Sequence, residues 1–180
     1  DVTLTVDADL QEHVATRLGA ESASAAVLDV ATGACIAIAS TPSFDPNSFI
    51  QGLTQRQWGE LVNNRHAPLI NKAISGQYPP GSVFKPVVAV AALEAGGVDS
   101  SHRVRCLGHI QLGDRTFHCW RRGGHGSLSM ISAIAQSCDV YFYDLALKVG
   151  VERIAEMARR LGLGQASGFD LPGEKQGLVP

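Results

Sequence analysis

The chain has 180 residues, 45% of them apolar and 18% charged, with 15 basic against 17 acidic side chains for a net charge of −2. That length supports one domain able to bury roughly 70% of its unfolded surface, and the charge balance gives nucleic-acid binding no electrostatic support. No apolar run approaches the ~18 residues of a membrane span and no signal-peptide pattern is present. The chain opens directly into a strand-like pattern and stops at Gly177-Leu178-Val179-Pro180, so it is expected to be a piece of something longer.

Residues 2–6 alternate as a strand does, and 8–18 follow with helical spacing. Two apolar strands, 25–30 and 34–39, are predicted to pair across Ala31-Thr32-Gly33. Residues 40–47 read as loop, 53–61 as a short helix, and 63–71 as a lead-in. A turn at Pro79-Pro80-Gly81 opens a helix over 83–93, stopped by Gly96-Gly97. Residues 101–126, rich in Gly, His, Arg and Cys, read as irregular. Ser127 or Ser129 caps a helix running to about Gln136, and further helices cover 140–149 and 151–161. The tail, with Pro172, Gly173 and Gly177, reads as extended or loop. The opening strands are too few to complete a sheet, which leaves edges in need of partners.

Chemistry concentrates where the turn gives way to the 83–93 helix. Ser82 and Lys85 are three residues apart and so share a helical face. Theirs is the only Ser-x-x-Lys in the chain, since none of Lys72, Lys148 and Lys175 has a serine three residues before it. Taken alone, the pair fits equally well an activated nucleophile or an N-cap serine beside a solvated lysine. Lys85, however, enters a run with nothing charged before Glu94, and a lysine in such a place needs a partner or a depressed pKa. Ser137-Cys138-Asp139 falls between two predicted helices, where it is either a helix stop followed by an N-cap or a loop aiming Ser137 and Asp139 into a cleft.

Together these residues resemble the penicillin-binding transpeptidases and their serine β-lactamase relatives. Ser82-Val83-Phe84-Lys85 matches the family's first motif and Ser137-Cys138-Asp139 its second. Leu4-Thr5-Val6-Asp7 with Leu10-Gln11 is similar to the start of such domains. Asn71-Lys72-Ala73-Ile74 and Tyr78-Pro79-Pro80-Gly81-Ser82 resemble the class B, elongation-type branch (the penicillin-binding protein 2 branch). The resemblance implies an α/β (α+β) fold, an antiparallel sheet with flanking helices plus a mostly helical subdomain. This chain is expected to be its N-terminal part: 1–50 in the α/β layer, 51–165 the helical subdomain, 166–180 an extended return toward the sheet.

The resemblance further implies a serine-type D-Ala-D-Ala transpeptidase that cross-links peptidoglycan stem peptides through an acyl-serine and is acylated by β-lactams. Ser82 is then the nucleophile, Lys85 its base, Ser137 a proton relay to the leaving group, and Asp139 the residue that orients Lys85 or holds substrate. The backbone N–H of Ser82 supplies half an oxyanion hole. A non-enzymatic penicillin sensor and a serine β-lactamase of the same fold are the rival readings. Implied partners are stem peptides, β-lactams and membrane-bound cell-elongation proteins, at the periplasmic face of the bacterial inner membrane. One departure stands out. The family's third motif, Lys-Thr-Gly or Lys-Ser-Gly, is absent from these residues. That motif and the remaining strands are expected beyond Pro180, and the segment alone is expected to be inert.

The chemistry requires no cofactor, but the cysteines suggest a structural one. Cys35 sits in an apolar strand and is expected in the core. Cys106, Cys119, His125 and Cys138 follow the spacing Cys-x12-Cys-x5-His-x12-Cys. Three readings stay open: a structural zinc on all four, a Cys106–Cys119 disulfide, or unlinked thiols. Elongation-branch relatives are similar in placing a metal site here. Zinc would brace the irregular segment and fix the loop of Ser137 and Asp139. His102, His109 and His118 are expected at the surface, Arg115, Arg121 and Arg122 on a solvated face, and Trp58 and Trp120 as packing residues.

Overall fold

The computed structural model describes residues 1–179; Pro180, the last residue of the expected tail, lies outside the described residues. The architecture is mixed α and β, with antiparallel strand pairs and flanking helices. The chain divides into two compact units.

The first unit comprises Asp1–Gln77 with Phe169–Lys175. Helix α1 (Ala8–Leu18) is capped by Asp7, whose carboxylate accepts the Leu10 amide at 2.8 Å. Strands β1 (Ala23–Leu28) and β2 (Cys35–Thr41) form an antiparallel pair, from Ala23 opposite Thr41 to Leu28 opposite Cys35. The predicted hairpin therefore forms. Its turn is fastened by Asp29 Oδ1, which accepts the amides of Ala31 and Thr32 and the Thr32 hydroxyl. Burial alternates along β2, with Cys35, Ala37, Ala39 and Thr41 turned inward, so Cys35 is the core residue its setting predicted.

Residues 2–6 do not become the strand that their alternation predicts. They and the start of α1 instead cover the free edge of β2 by single bonds. Thr5 Oγ1 donates to the Cys35 carbonyl (2.5 Å) and the Asp7 amide donates to Ile36 (2.9 Å). The Gln11 side chain donates to the Ile38 carbonyl (2.7 Å) and accepts the Ile38 amide (2.8 Å). Helix α1 begins too soon for a ladder, and side chains satisfy the edge that a third strand would have paired.

Helix α2 (Asn47–Gln51) was not predicted, whereas α3 (Gln55–Val62) was expected over 53–61 and carries a Thr54–Gln57 capping box. The short α4 (Lys72–Ser75), also unpredicted, is capped by Asn71. Within the same unit the returning segment binds α4: Ser75 Oγ donates to Gly173 (2.7 Å), and the Lys175 amide donates to Ile74 (3.2 Å).

The second unit runs from Tyr78 to Gly168 and resumes at Gln176. A tight helical turn (Gly81–Phe84) feeds α5 (Lys85–Glu94), with Pro86 in the first turn, where a missing N–H costs little. Residues 101–126 are not irregular. They hold β3 (Arg103–Cys106), β4 (His109–Leu112) and β5 (Arg115–His118), and β6 (Gly126–Ser129) follows; β3 pairs with β6 and β4 with β5. Strands β3 and β4 do alternate polar with apolar residues, Val104 and Cys106 and then Ile110 and Leu112 facing inward, but only over four positions each, the shortest run that carries a strand period, and β5 shows none. Their connections depend on close backbone approach: a Cβ on Gly108 would collide with the Arg122 carbonyl, and one on Gly124 with that of Cys106.

Helix α6 (Met130–Ala135) is capped by Ser129, not Ser127, and α7 (Asp139–Val149) and α8 (Val151–Arg160) complete the unit. The core gathers Val88 and Ala92 of α5, Ala133 of α6, Tyr141 and Leu145 of α7 and Ala158 of α8. It thereby sets the starts of α5 and α7, which carry the site. One test of the edge-covering device is Gln11→Ala, expected to cost about 1–3 kcal/mol for two unpaired backbone groups. Hydrogen exchange at the Ile38 amide should accelerate; unchanged protection there would refute the device.

Candidate active site

Gly81 takes a φ of 57°, open to a residue without a Cβ, and this places Ser82 in the exposed tight turn just before α5. Ser82 is therefore no N-cap; its hydroxyl is left available. Lys85 is the first residue of α5, and its side chain is only 13% exposed. A cation so enclosed needs acceptors, and the start of α7 supplies them. Nζ donates to the Ser137 carbonyl (2.7 Å), Ser137 Oγ (2.9 Å) and Asp139 Oδ1 (2.7 Å). The face of Phe142 lies 5.8 Å away. Ser137 Oγ in turn donates to Ser82 Oγ at 2.9 Å.

All three ammonium protons are thus engaged, and the amine reaches Ser82 through Ser137. The structure brings Ser82, Lys85, Ser137 and Asp139 into one hydrogen-bonded chain. Asp139 does not cap α7, because Cys138 holds the N-cap position without a side-chain bond. Its carboxylate is free for Lys85 on one oxygen. The other oxygen accepts the Trp120 backbone amide at 2.9 Å. Burial pushes the Asp139 pKa up, but the Lys85 and Trp120 hydrogen bonds and the Lys85 charge outweigh it and hold the group below its ordinary range.

Ser137 sits at φ 51°, a left-handed backbone that a serine adopts only when its surroundings impose it. The amides of Ser137 and Cys138 close the end of α6 by bonding to Ile134 (3.0 Å) and Ala133 (2.9 Å). Beside this turn the other sequence-predicted group assembles. Cys106 ends β3, Cys119 follows β5, His125 precedes β6 and Cys138 precedes α7. Their donor atoms all lie within 4.8 Å of one another, and none of the cysteines is disulfide-bonded.

The donor set fits a tetrahedral ion. His125 Nδ1 lies 3.6 Å from Cys106 Sγ and 3.5 Å from Cys119 Sγ. A zinc tetrahedron with bonds of ~2.3 Å to sulfur and ~2.05 Å to nitrogen has S···N edges of about 3.6 Å. Burial, reinforced by Arg121, lowers the His125 pKa and favours the neutral ligand form. Burial pushes the Cys138 thiol up to about 12, with Cys106 and Cys119 adding to it against the Tyr141 amide. Cys119 moves the other way: burial raises its pKa, but hydrogen bonds from the Arg121, Asp139 and Val140 amides outweigh it and favour the thiolate, the form that ligates a metal.

Of the other expected residues, His109 and His118 are exposed, as are Arg115, Arg121 and Arg122, while His102 is half-buried beside Lys148. Trp58 meets Phe49 edge to face, though it is 48% exposed. Trp120 does more than pack: its ring meets His125 edge to face, and it makes directed bonds at the site. No sequence signal marks that contribution, because half of it is a backbone amide. The depressed Asp139 pKa has a measurable sign. The ion pair adds stability above the ordinary carboxyl pKa, which is lost as pH falls through the lower folded value. NMR titration of the Asp139 carboxylate should give a midpoint below ~3.9; one above it would refute the pairing.

The chain as a whole is similar to known proteins of one family. The family model "Penicillin binding protein transpeptidase domain" matches residues 23–180. The chain is 37% identical to the peptidoglycan D,D-transpeptidase MrdA of Escherichia coli (strain K12), over 100% of this chain and 29% of that protein. It is 38% identical to MrdA of Acinetobacter baumannii, over 100% of this chain and 27% of that protein. Among solved structures it superposes on Pseudomonas aeruginosa PBP2 in complex with WCK 5153 with a TM-score of 0.92 and 40% identity, covering 100% of this chain and 41% of that one. Helicobacter pylori PBP2 in complex with MreC gives a TM-score of 0.91 at 31% identity, covering 97% and 33%. The chain thus spans less than a third of the length of these curated relatives.

Proposed function

The chain belongs to the penicillin-binding protein transpeptidase family, and from that membership we propose that it carries the nucleophilic half of a D,D-transpeptidase site of the elongation type. The observation that supports this most directly is the hydrogen-bonded chain from Lys85 through Ser137 to Ser82. In the reaction, Ser82 Oγ attacks the carbonyl carbon of the penultimate D-alanine of a stem peptide. A C–O bond forms and the C–N bond to the terminal D-alanine breaks. The Ser82 proton moves to Ser137, Ser137 passes its own to Lys85 in the neutral form, and the relay returns a proton to the departing amine. A second stem's amine then takes the acyl group and releases Ser82. A β-lactam ring opened by the same attack keeps its leaving nitrogen tethered, so the adduct on Ser82 persists.

Asp139 holds the Lys85 ammonium that forms during this transfer, and the Ser82 N–H supplies one oxyanion donor. Cys106, Cys119, His125 and Cys138 are proposed to hold a structural zinc, which would supply charge compensation for the thiolates and a rigid anchor for the Ser137 turn. It takes no part in the proton relay. A D,D-transpeptidase of this kind works at the periplasmic face of the inner membrane. No described helix is long and apolar enough to cross a membrane. The Helicobacter relative was solved with MreC, which supports a membrane-associated elongation partner here as well.

In the full-length protein, labelled penicillin should form a long-lived adduct on Ser82, and Ser82→Ala should abolish it. Rapid hydrolysis of the adduct would overturn the transpeptidase reading in favour of a lactamase, and a stable adduct without cross-linking would favour a sensor. For the metal, elemental analysis should find one zinc per chain, and Cys106→Ser should lower that occupancy together with the thermal midpoint. Three freely reactive thiols and no zinc would refute the site.

A further inference from the structure

Trp120 makes two directed bonds that bracket the Ser137 turn. Its backbone amide donates to Asp139 Oδ2 (2.9 Å), and its indole Nε1–H donates to the Gln136 carbonyl (3.1 Å). Gln136 closes α6 and Asp139 opens α7, so one residue grips the turn on both flanks. The Gln136 carbonyl is one of the groups that a helix end leaves without an intrahelical partner. The indole ring also meets His125 edge to face, with centroids 5.2 Å apart. Cys119, one residue before, is buried, and its amide donates to the Gly108 carbonyl (2.8 Å).

Among the described residues the Trp120 side chain is held chiefly by directed contacts, the indole N–H bond to Gln136 and the edge-to-face meeting with His125. What the turn needs is restraint. Ser137 holds a left-handed backbone, a conformation that persists only where neighbours over-determine it. Its hydroxyl must stay near 2.9 Å from both Ser82 Oγ and Lys85 Nζ. Misplacement by about 1 Å at such a point costs on the order of 100-fold in rate.

We propose that Trp120 is a positioning residue for acyl transfer: its backbone and indole N–H groups fasten the two flanks of the Ser137 turn and so hold Ser137 and Asp139 in register with Ser82 and Lys85. The proposal rests on the transpeptidase reading. Trp120 does not touch the reacting atoms, and its influence passes through Asp139 to Lys85 and through Gln136 to Ser137.

The test uses the full-length protein and a fluorescent penicillin, with the acylation rate constant and the noncovalent dissociation constant resolved separately, and the end-point labelling and thermal midpoint measured alongside. Trp120→Phe keeps an aromatic ring and the backbone amide but loses the indole donor. It should lower the acylation rate constant about 10-fold while leaving the dissociation constant and the end-point labelling unchanged. Trp120→Ala should lower it about 100-fold. An unchanged rate constant in both variants overturns the proposal, and so does a loss confined to end-point labelling, which marks fewer folded molecules and not a misplaced relay. If the unsubstituted protein forms no Ser82 adduct, the transpeptidase reading falls first, and that outcome is visible before any variant is made.

Discussion

The second unit is organised around one enclosed cation. Lys85, at the start of an apolar helix, has a largely enclosed side chain and takes three acceptors from a single turn of chain, the Ser137 carbonyl and hydroxyl and the Asp139 carboxylate. A cation in that position is tolerated only when its partners are held in place. The demand explains why α6 and α7 are separated by so short a turn, and why Ser137 takes a backbone conformation that serine ordinarily avoids. It also leaves Ser137 Oγ between the amine and Ser82, which is the arrangement a proton relay requires.

Around this turn a second set of constraints converges. Cys138 sits between Ser137 and Asp139, and its neighbours in space, Cys106, Cys119 and His125, come from the ends of three different strands. Glycines at 108 and 124 permit the backbone approach that brings those strand ends together. The same segment presents Trp120, whose two N–H groups bind either side of the turn. The strands of this region bury little apolar surface, so directed bonds do the organising that a hydrophobic core does elsewhere in the unit.

The first unit shows how a local pattern is overridden. Alternation over 2–6 is a genuine signal of sheet-seeking chain, yet a ladder needs length, and Asp7 caps α1 before one can form. The edge of β2 is met by Thr5, the Asp7 amide and Gln11. The opposite failure occurs over 101–126. There the strands exist but are four residues each: Arg103 and Arg105 alternate with Val104 and Cys106 too briefly to stand out, Arg115–His118 shows no alternation, and they form because their backbones pair.

From sequence alone, the helices of the second unit were legible because apolar spacing and a stop such as Gly96-Gly97 are local properties. So was the placing of Ser82 and Lys85 within one turn of each other at a helical start. The donor types and spacing of Cys106, Cys119, His125 and Cys138 were legible too, though not which of three chemistries they serve. Tertiary structure decided the rest. That Lys85 meets Ser82 only by way of Ser137, that Asp139 divides its oxygens between Lys85 and Trp120, and that an exposed tryptophan clamps the turn are all contacts between segments far apart in the chain. Local periodicity holds no record of such contacts, because their partners are chosen by packing and by the unsatisfied charge and backbone groups that packing leaves behind.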